Sequence, residues 1–101
     1  MKNIKDKVYE YLKTIPKGKV VTYSQIGEFL GNKNLARVVG NVLHKNNDVK
    51  NYPCYKVVNS LGKLSKNYAF GGIVGQKKFL MQEGIEVKND MVDLKKFQYF
   101  G

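Results

Sequence analysis

Only three residues, Gly31-Asn32-Lys33, separate two stretches of helical apolar spacing, and that brevity narrows the folds open to this chain. The first stretch begins at Thr22, which has capping-box spacing to Gln25, runs through Ile26, Phe29 and Leu30, and stops at Gly31. The second has Asn34 as its expected N-cap and apolar residues at Leu35, Val38, Val39, Val42 and Leu43. Helices this short are marginal alone, so the two must pack on each other and on a shared core. Two helices across so tight a glycine turn read as a helix-turn-helix, although a plain helical hairpin has the same pattern.

The flanking segments supply that core. Ile4, Val8, Leu12 and Ile15 recur at helical spacing and end at Pro16, which predicts an N-terminal amphipathic helix. After the turn Pro16-Lys17-Gly18-Lys19, the β-branched run Val20-Val21-Thr22 predicts a short extended segment, and Tyr55 to Asn59 predicts another. Ser60 to Lys63 turns the chain, Leu64 to Phe70 reads as a loop and Gly71-Gly72 as a joint. Ile73 to Gln82 predicts a fourth helix closed by Glu83-Gly84. Beyond Val87 the chain is charged, with Met91, Val92, Leu94, Phe97, Tyr99 and Phe100 able to dock it. The expected fold is mainly α with a small β element, a single winged helix-turn-helix-like domain over residues 1–101.

The formal charge of +10 on 101 residues attracts polyanions. Between Lys13 and Lys78 lie twelve basic residues and only two acidic ones, Glu28 and Asp48, so the middle of the chain is cationic. Lysines that merely confer solubility are the plain alternative. The polar face of the third helix favours nucleic acid, because Arg37, Asn41, His44 and Lys45 fall on one side and can donate to phosphates and base edges. One cysteine makes no internal disulfide, and one Cys with one His is too little for a usual metal cage, so no metal or cofactor is expected. The Met1–Lys7 segment lacks an apolar signal core and no run suits a membrane span, which predicts a soluble, intracellular protein of the cytoplasm; a monomer associated with DNA is expected.

Several blocks then occur in one order: Gly18-Lys19-Val20-Val21-Thr22-Tyr23, Ala36-Arg37-Val38-Val39-Gly40, Asn46, Pro53-Cys54-Tyr55-Lys56-Val57-Val58, Gly71-Gly72 and Glu83-Gly84. With this spacing, residues 4–86 resemble the DNA-binding and active-site domain of O6-alkylguanine-DNA alkyltransferases and the related alkyltransferase-like proteins. The resemblance implies binding of duplex DNA carrying O6-alkylguanine, extrusion of that base, and irreversible transfer of the alkyl group to Cys54. It also implies a role for each matching residue. Arg37, the only arginine, would fill the gap left by the flipped nucleotide, a task suited to a planar guanidinium. Tyr23 would crowd the target phosphate, and Gly40 and Asn41 would lie against the groove with His44, Lys45 and Lys56 as further DNA contacts. Asn46 and Glu83 match the structural asparagine and the relay glutamate. Pro53, the Val57 backbone and Tyr68 would form the base pocket, with a tyrosine hydroxyl donating to the departing guanine oxygen.

Two departures bear on chemistry. Tyr55 stands where the family has histidine, and Lys56 where it has arginine. A phenol is a poorer base than imidazole at neutral pH, while a free thiol needs activation to become a nucleophilic thiolate. The loop before Gly71 is also about two residues longer than in typical alkyltransferases. Alkyltransferase-like proteins replace the cysteine and bind the lesion without repairing it; this chain keeps Cys54 but has their small size. Lesion recognition that alerts another repair pathway, through a protein partner, therefore stands beside alkyl transfer as a reading. A transcription regulator is a third, weaker one, for no dimer helix is evident and it leaves the Pro53-Cys54 block without a purpose.

Overall fold

A computed structural model describes residues 3–100; positions 1, 2 and 101 of the expected 1–101 unit lie outside the described residues. Helix α1 (Ile4–Thr14) is capped by Asn3, whose side chain accepts from the Asp6 amide, and buries Val8 and Leu12. Strand β1 (Val21–Thr22) runs directly into α2 (Tyr23–Phe29). The Thr22–Gln25 capping box is present in both directions, which fixes where strand becomes helix.

The turn between the helices differs from expectation in detail. Asn32, not Asn34, provides the cap: its side chain accepts from the Asn34 amide and starts a 3-10 turn over Lys33–Leu35. Helix α3 (Ala36–His44) follows without a side-chain cap of its own. Gly27 permits the close approach, since a Cβ there would come within 2.9 Å of the Asn32 carbonyl. Phe29 and Val38, expected on apolar faces, are exposed, and Phe29 instead lies against the Tyr11 ring at 4.9 Å.

A second 3-10 turn, Cys54–Lys56, leads into β2 (Val57–Val58), which pairs in parallel with β1, Val21 opposite Val57 and Thr22 opposite Val58. Alternation along strands sends neighbouring side chains to opposite faces. Val21 and Val57 accordingly join one core with Val8, Leu12, Ile26, Val39, Leu43 and Cys54, whereas Val20 and Val58 join another with Leu64, Leu80, Ile85 and Val92. This two-stranded partition carries the helix-turn-helix on one side and α4 (Gly72–Gln82) on the other.

The C-terminal segment is folded. Strands β3 (Val87–Lys88) and β4 (Met91–Val92) form an antiparallel hairpin across Asn89-Asp90, both at positive φ as a tight two-residue turn requires. Helix α5 (Leu94–Phe97) is capped by Asp93, and Val20 exchanges backbone hydrogen bonds with this segment, donating to Phe97 and accepting from Tyr99. Val92 is buried, but Phe100, expected to help dock the tail, is 79% exposed. The fold is mainly helical with small β elements, and no helix among the described residues is long and apolar enough to cross a membrane.

Candidate functional site

The exposed face of α3 and the loop 65–69 form the two walls of a cavity of about 420 Å³. Helical spacing puts Ala36, Arg37, Gly40, Asn41, Leu43 and His44 on one wall, Ser65, Asn67, Tyr68 and Ala69 on the other, and Tyr23 and Cys54 between them. The volume is ordinary for a small-molecule or base site. Of the residues anticipated from sequence, Cys54, Tyr23, Arg37, Gly40, Asn41, His44 and Tyr68 are gathered here. Arg37, Asn41, His44 and Lys45 are exposed, so the donors expected on this face are open to a ligand, although Lys45, the C-cap of α3, does not line the cavity.

Cys54 opens its 3-10 turn, its amide donating to the Tyr52 carbonyl at 2.7 Å, and the residue is 3% exposed. Burial pushes its thiol above the usual range; Asn46 and Tyr68, which favour the thiolate, offset this only in part. Asn46 is itself buried and fixed, with Nδ2 donating to the Tyr52 carbonyl at 2.8 Å and Oδ1 accepting from the Asp48 amide at 2.9 Å. The Tyr68 hydroxyl is buried, borders Cys54, and has no well-formed hydrogen bond among the described residues. Burial and the neighbouring thiol raise its proton affinity, so it is a donor in waiting.

Behind Cys54 lies a second polar cluster. The Tyr55 hydroxyl donates to Glu83 Oε2, while Glu83 Oε1 accepts from the Gly18 amide at 3.0 Å and pairs with Lys56 Nζ at 2.9 Å. Burial alone would lift the Glu83 carboxyl, but these donors outweigh it and hold the group below the usual carboxylate range. Tyr55 moves the other way, raised by burial and by the bond to Glu83. A phenol so placed keeps its proton and is no general base in the free protein.

Three expected contacts belong elsewhere. Lys56, expected on DNA, is 4% exposed and donates to the Ile15 and Pro16 carbonyls at 3.1 and 3.0 Å besides pairing with Glu83; burying an ammonium demands such partners. Val57 sits in the first core with its carbonyl accepting from Gln76, away from the cavity lining. Pro53 precedes the 3-10 turn and does not line the cavity either.

Sequence reasoning passed over Gln76. It is 1% exposed: Oε1 accepts from the Ser65 amide at 2.8 Å, and Nε2 donates to the Tyr55 and Val57 carbonyls at 3.0 Å each. One side chain thus ties the start of the cavity loop to the segment that presents Cys54. Its signal was a polar residue at the apolar spacing of Ile73, Gln76 and Leu80.

Known proteins are similar to this chain in sequence and fold. The family described as "6-O-methylguanine DNA methyltransferase, DNA binding domain" matches residues 3–85. A bifunctional methyltransferase/endonuclease of Picrophilus torridus is 40% identical over 92 residues, covering 91% of this chain and 30% of that protein, so the chain spans less than a third of that relative's length. Alkyltransferase-like protein 1 of Schizosaccharomyces pombe is 37% identical over 81 residues, 80% of this chain and 75% of that protein. A crystal structure of S. pombe Atl1 in complex with damaged DNA containing O6-carboxymethylguanine superposes over 100% of both chains, with a TM-score of 0.88 and 30% identity.

Proposed function

Since the chain belongs to the O6-alkylguanine-DNA alkyltransferase family, we propose that it binds duplex DNA through α3, receives a flipped O6-alkylguanine in the cavity, and transfers the alkyl group to Cys54. The observation that carries this reading is that the only cysteine lines a cavity, roomy enough for a purine, that the only arginine also lines. A guanidinium at that rim can enter the stack vacated by the base and still donate hydrogen bonds. Gly40 supports the docking face: a Cβ there would meet nothing closer than the Tyr23 ring at 3.9 Å, so internal packing does not require glycine, and an external surface gives a reason for it. Asn46 and Glu83 act through their neighbours, one fixing the Cys54 segment and the other holding Tyr55 and Lys56.

In the transfer step, Sγ attacks the alkyl carbon as the alkyl–O6 bond breaks. The guanine leaves with the bonding electron pair and ends with the proton that the thiol gives up. The Tyr68 hydroxyl is the donor for O6 as charge develops there. Incubation with a duplex containing O6-methylguanine, followed by intact mass, tests the proposal: Cys54 gains a methyl in place of its proton, and an unchanged mass refutes transfer.

A second reading, lesion binding that serves another repair protein, is favoured by one feature. Tyr55 keeps its proton and donates it in a hydrogen bond to the Glu83 carboxylate, and the Cys54 thiol is raised, so the resting site holds a thiol rather than a thiolate. It requires a preference for alkylated DNA that survives Cys54→Ala with the lesion left intact.

A further inference from the structure

The two walls of the cavity are joined by a hydrogen bond: His44 Nδ1, in the last turn of α3, donates to the Asn67 carbonyl at 2.8 Å. The geometry points to His44 as a positioning residue that latches loop 65–69 to the DNA-facing helix and so sets the width of the slot that takes the flipped base. This assignment rests on the base-flipping reading above and adds to it a residue whose task is fit, not contact with phosphate.

The loop's other fastenings are internal or run toward α4: the Asn67 and Tyr68 amides donate to Ser65 Oγ and the Ser65 carbonyl at 3.1 Å each, and the Tyr68 ring lies against Phe79. The Ser65 amide is held by Gln76, and the Gly72 amide donates to the Tyr68 carbonyl at 2.9 Å. Its crest, Asn67 to Ala69, borders the cavity together with Ser65. Tyr68 follows Asn67 directly, so a shift of the backbone at Asn67 relative to α3 is passed to Tyr68 and alters the distance from its hydroxyl to the helix wall. A donor aimed at a reacting oxygen must be held to within about 0.5 Å; the contacts of Tyr68 with Phe70 and Phe79 fix it to its own side of the cavity, and the His44 bond is what sets that side against α3. His44 is the chain's only histidine, and it projects from the same helix wall as Arg37 and Asn41. A helix seated on DNA therefore brings with it one wall of the pocket and, through His44, the other.

The test compares His44→Phe, which keeps an aromatic ring without the donor, and His44→Gln, which restores a donor, with the wild type. Affinity is measured for an O6-methylguanine duplex and for the same duplex unmodified, at two salt concentrations. His44→Phe is expected to lower the preference for the lesion about five-fold, the equivalent of about 1 kcal/mol for one hydrogen bond, and His44→Gln to recover most of it. Amide hydrogen exchange of residues 67–69 in the free protein should quicken in His44→Phe and slow again in His44→Gln. Equal weakening on both duplexes, with a shallower salt dependence and unchanged loop exchange, would make His44 a phosphate contact and overturn the latch. A wild type without lesion preference would overturn the base-flipping reading itself, and the latch with it, whereas a wild type with that preference and an indifferent His44→Phe sinks the latch alone.

Discussion

Lys56 Nζ lies 2.9 Å from Glu83 Oε1, and the same ammonium donates to the Ile15 and Pro16 carbonyls, so one buried cation fastens the turn after α1 to the end of α4. Removing it leaves a largely buried carboxylate without its charge partner. Lys56→Met should lower the unfolding free energy by about 3–5 kcal/mol, read from the urea midpoint. In the double variant with Glu83→Gln, the loss should be smaller than the sum of the two single losses, because both belong to one network.

The same carboxylate makes stability depend on pH. Its native proton affinity is depressed, so the folded protein binds fewer protons there than the unfolded chain. The stabilisation is complete above the ordinary glutamate range and is lost as the pH falls through the depressed native value. Urea midpoints of wild type and Glu83→Gln should therefore differ at neutral pH and converge in acid; a gap that widens in acid would contradict the assignment.

Cys54 should be sluggish toward a generic electrophile despite lining a cavity. Its thiol is raised by burial, so alkylation by iodoacetamide at neutral pH should be slower than in the urea-unfolded chain and should keep increasing with pH beyond the point where an ordinary thiol levels off. Mass spectrometry of the intact protein over time gives both rates.

Tyr55→His offers a gain of function. Glu83 already accepts from the group at this position, and an imidazole there would bring a base that the raised phenol is not. Methyl transfer from an O6-methylguanine duplex should accelerate ten-fold or more, within the ~10²–10⁴-fold that a positioned base contributes. A rate unchanged by the substitution would mean that the thiol draws its activation from elsewhere.

Arg37 separates charge from shape. Arg37→Ala should weaken duplex binding and reduce the salt slope by about 1 if the guanidinium meets a phosphate. Arg37→Lys should keep the slope yet lose roughly ten-fold in lesion preference, about 1.4 kcal/mol, because an ammonium cannot stack in the vacated space.

Much of this site can be read along the chain wherever neighbours in sequence decide the outcome. Thr22 and Gln25 cap their helix by contacts three residues long, and 3.6-residue spacing alone puts Arg37, Asn41 and His44 on one face. The Asn89-Asp90 turn was also legible, but strands of two residues give no periodicity, and the hairpin was passed over as tail. The cap at Asn32 was misplaced because Asn32 and Asn34 are chemically alike and only the 3-10 turn between them tells which one accepts.

While the role of the lone cysteine came from the family resemblance, local order and the polar face of α3 followed from residue type and spacing, because those interactions close within a few residues. The direction in which Cys54, Tyr55 and Lys56 point did not. A 3-10 turn has three residues per revolution, so these side chains leave the backbone about 120° apart. Which one meets the cavity, which one Glu83 and which one the end of α1 depends on segments brought together from 15 to 83 along the chain. That choice is made by packing and by the cost of a buried charge, and both exist only once the distant parts of the chain have met.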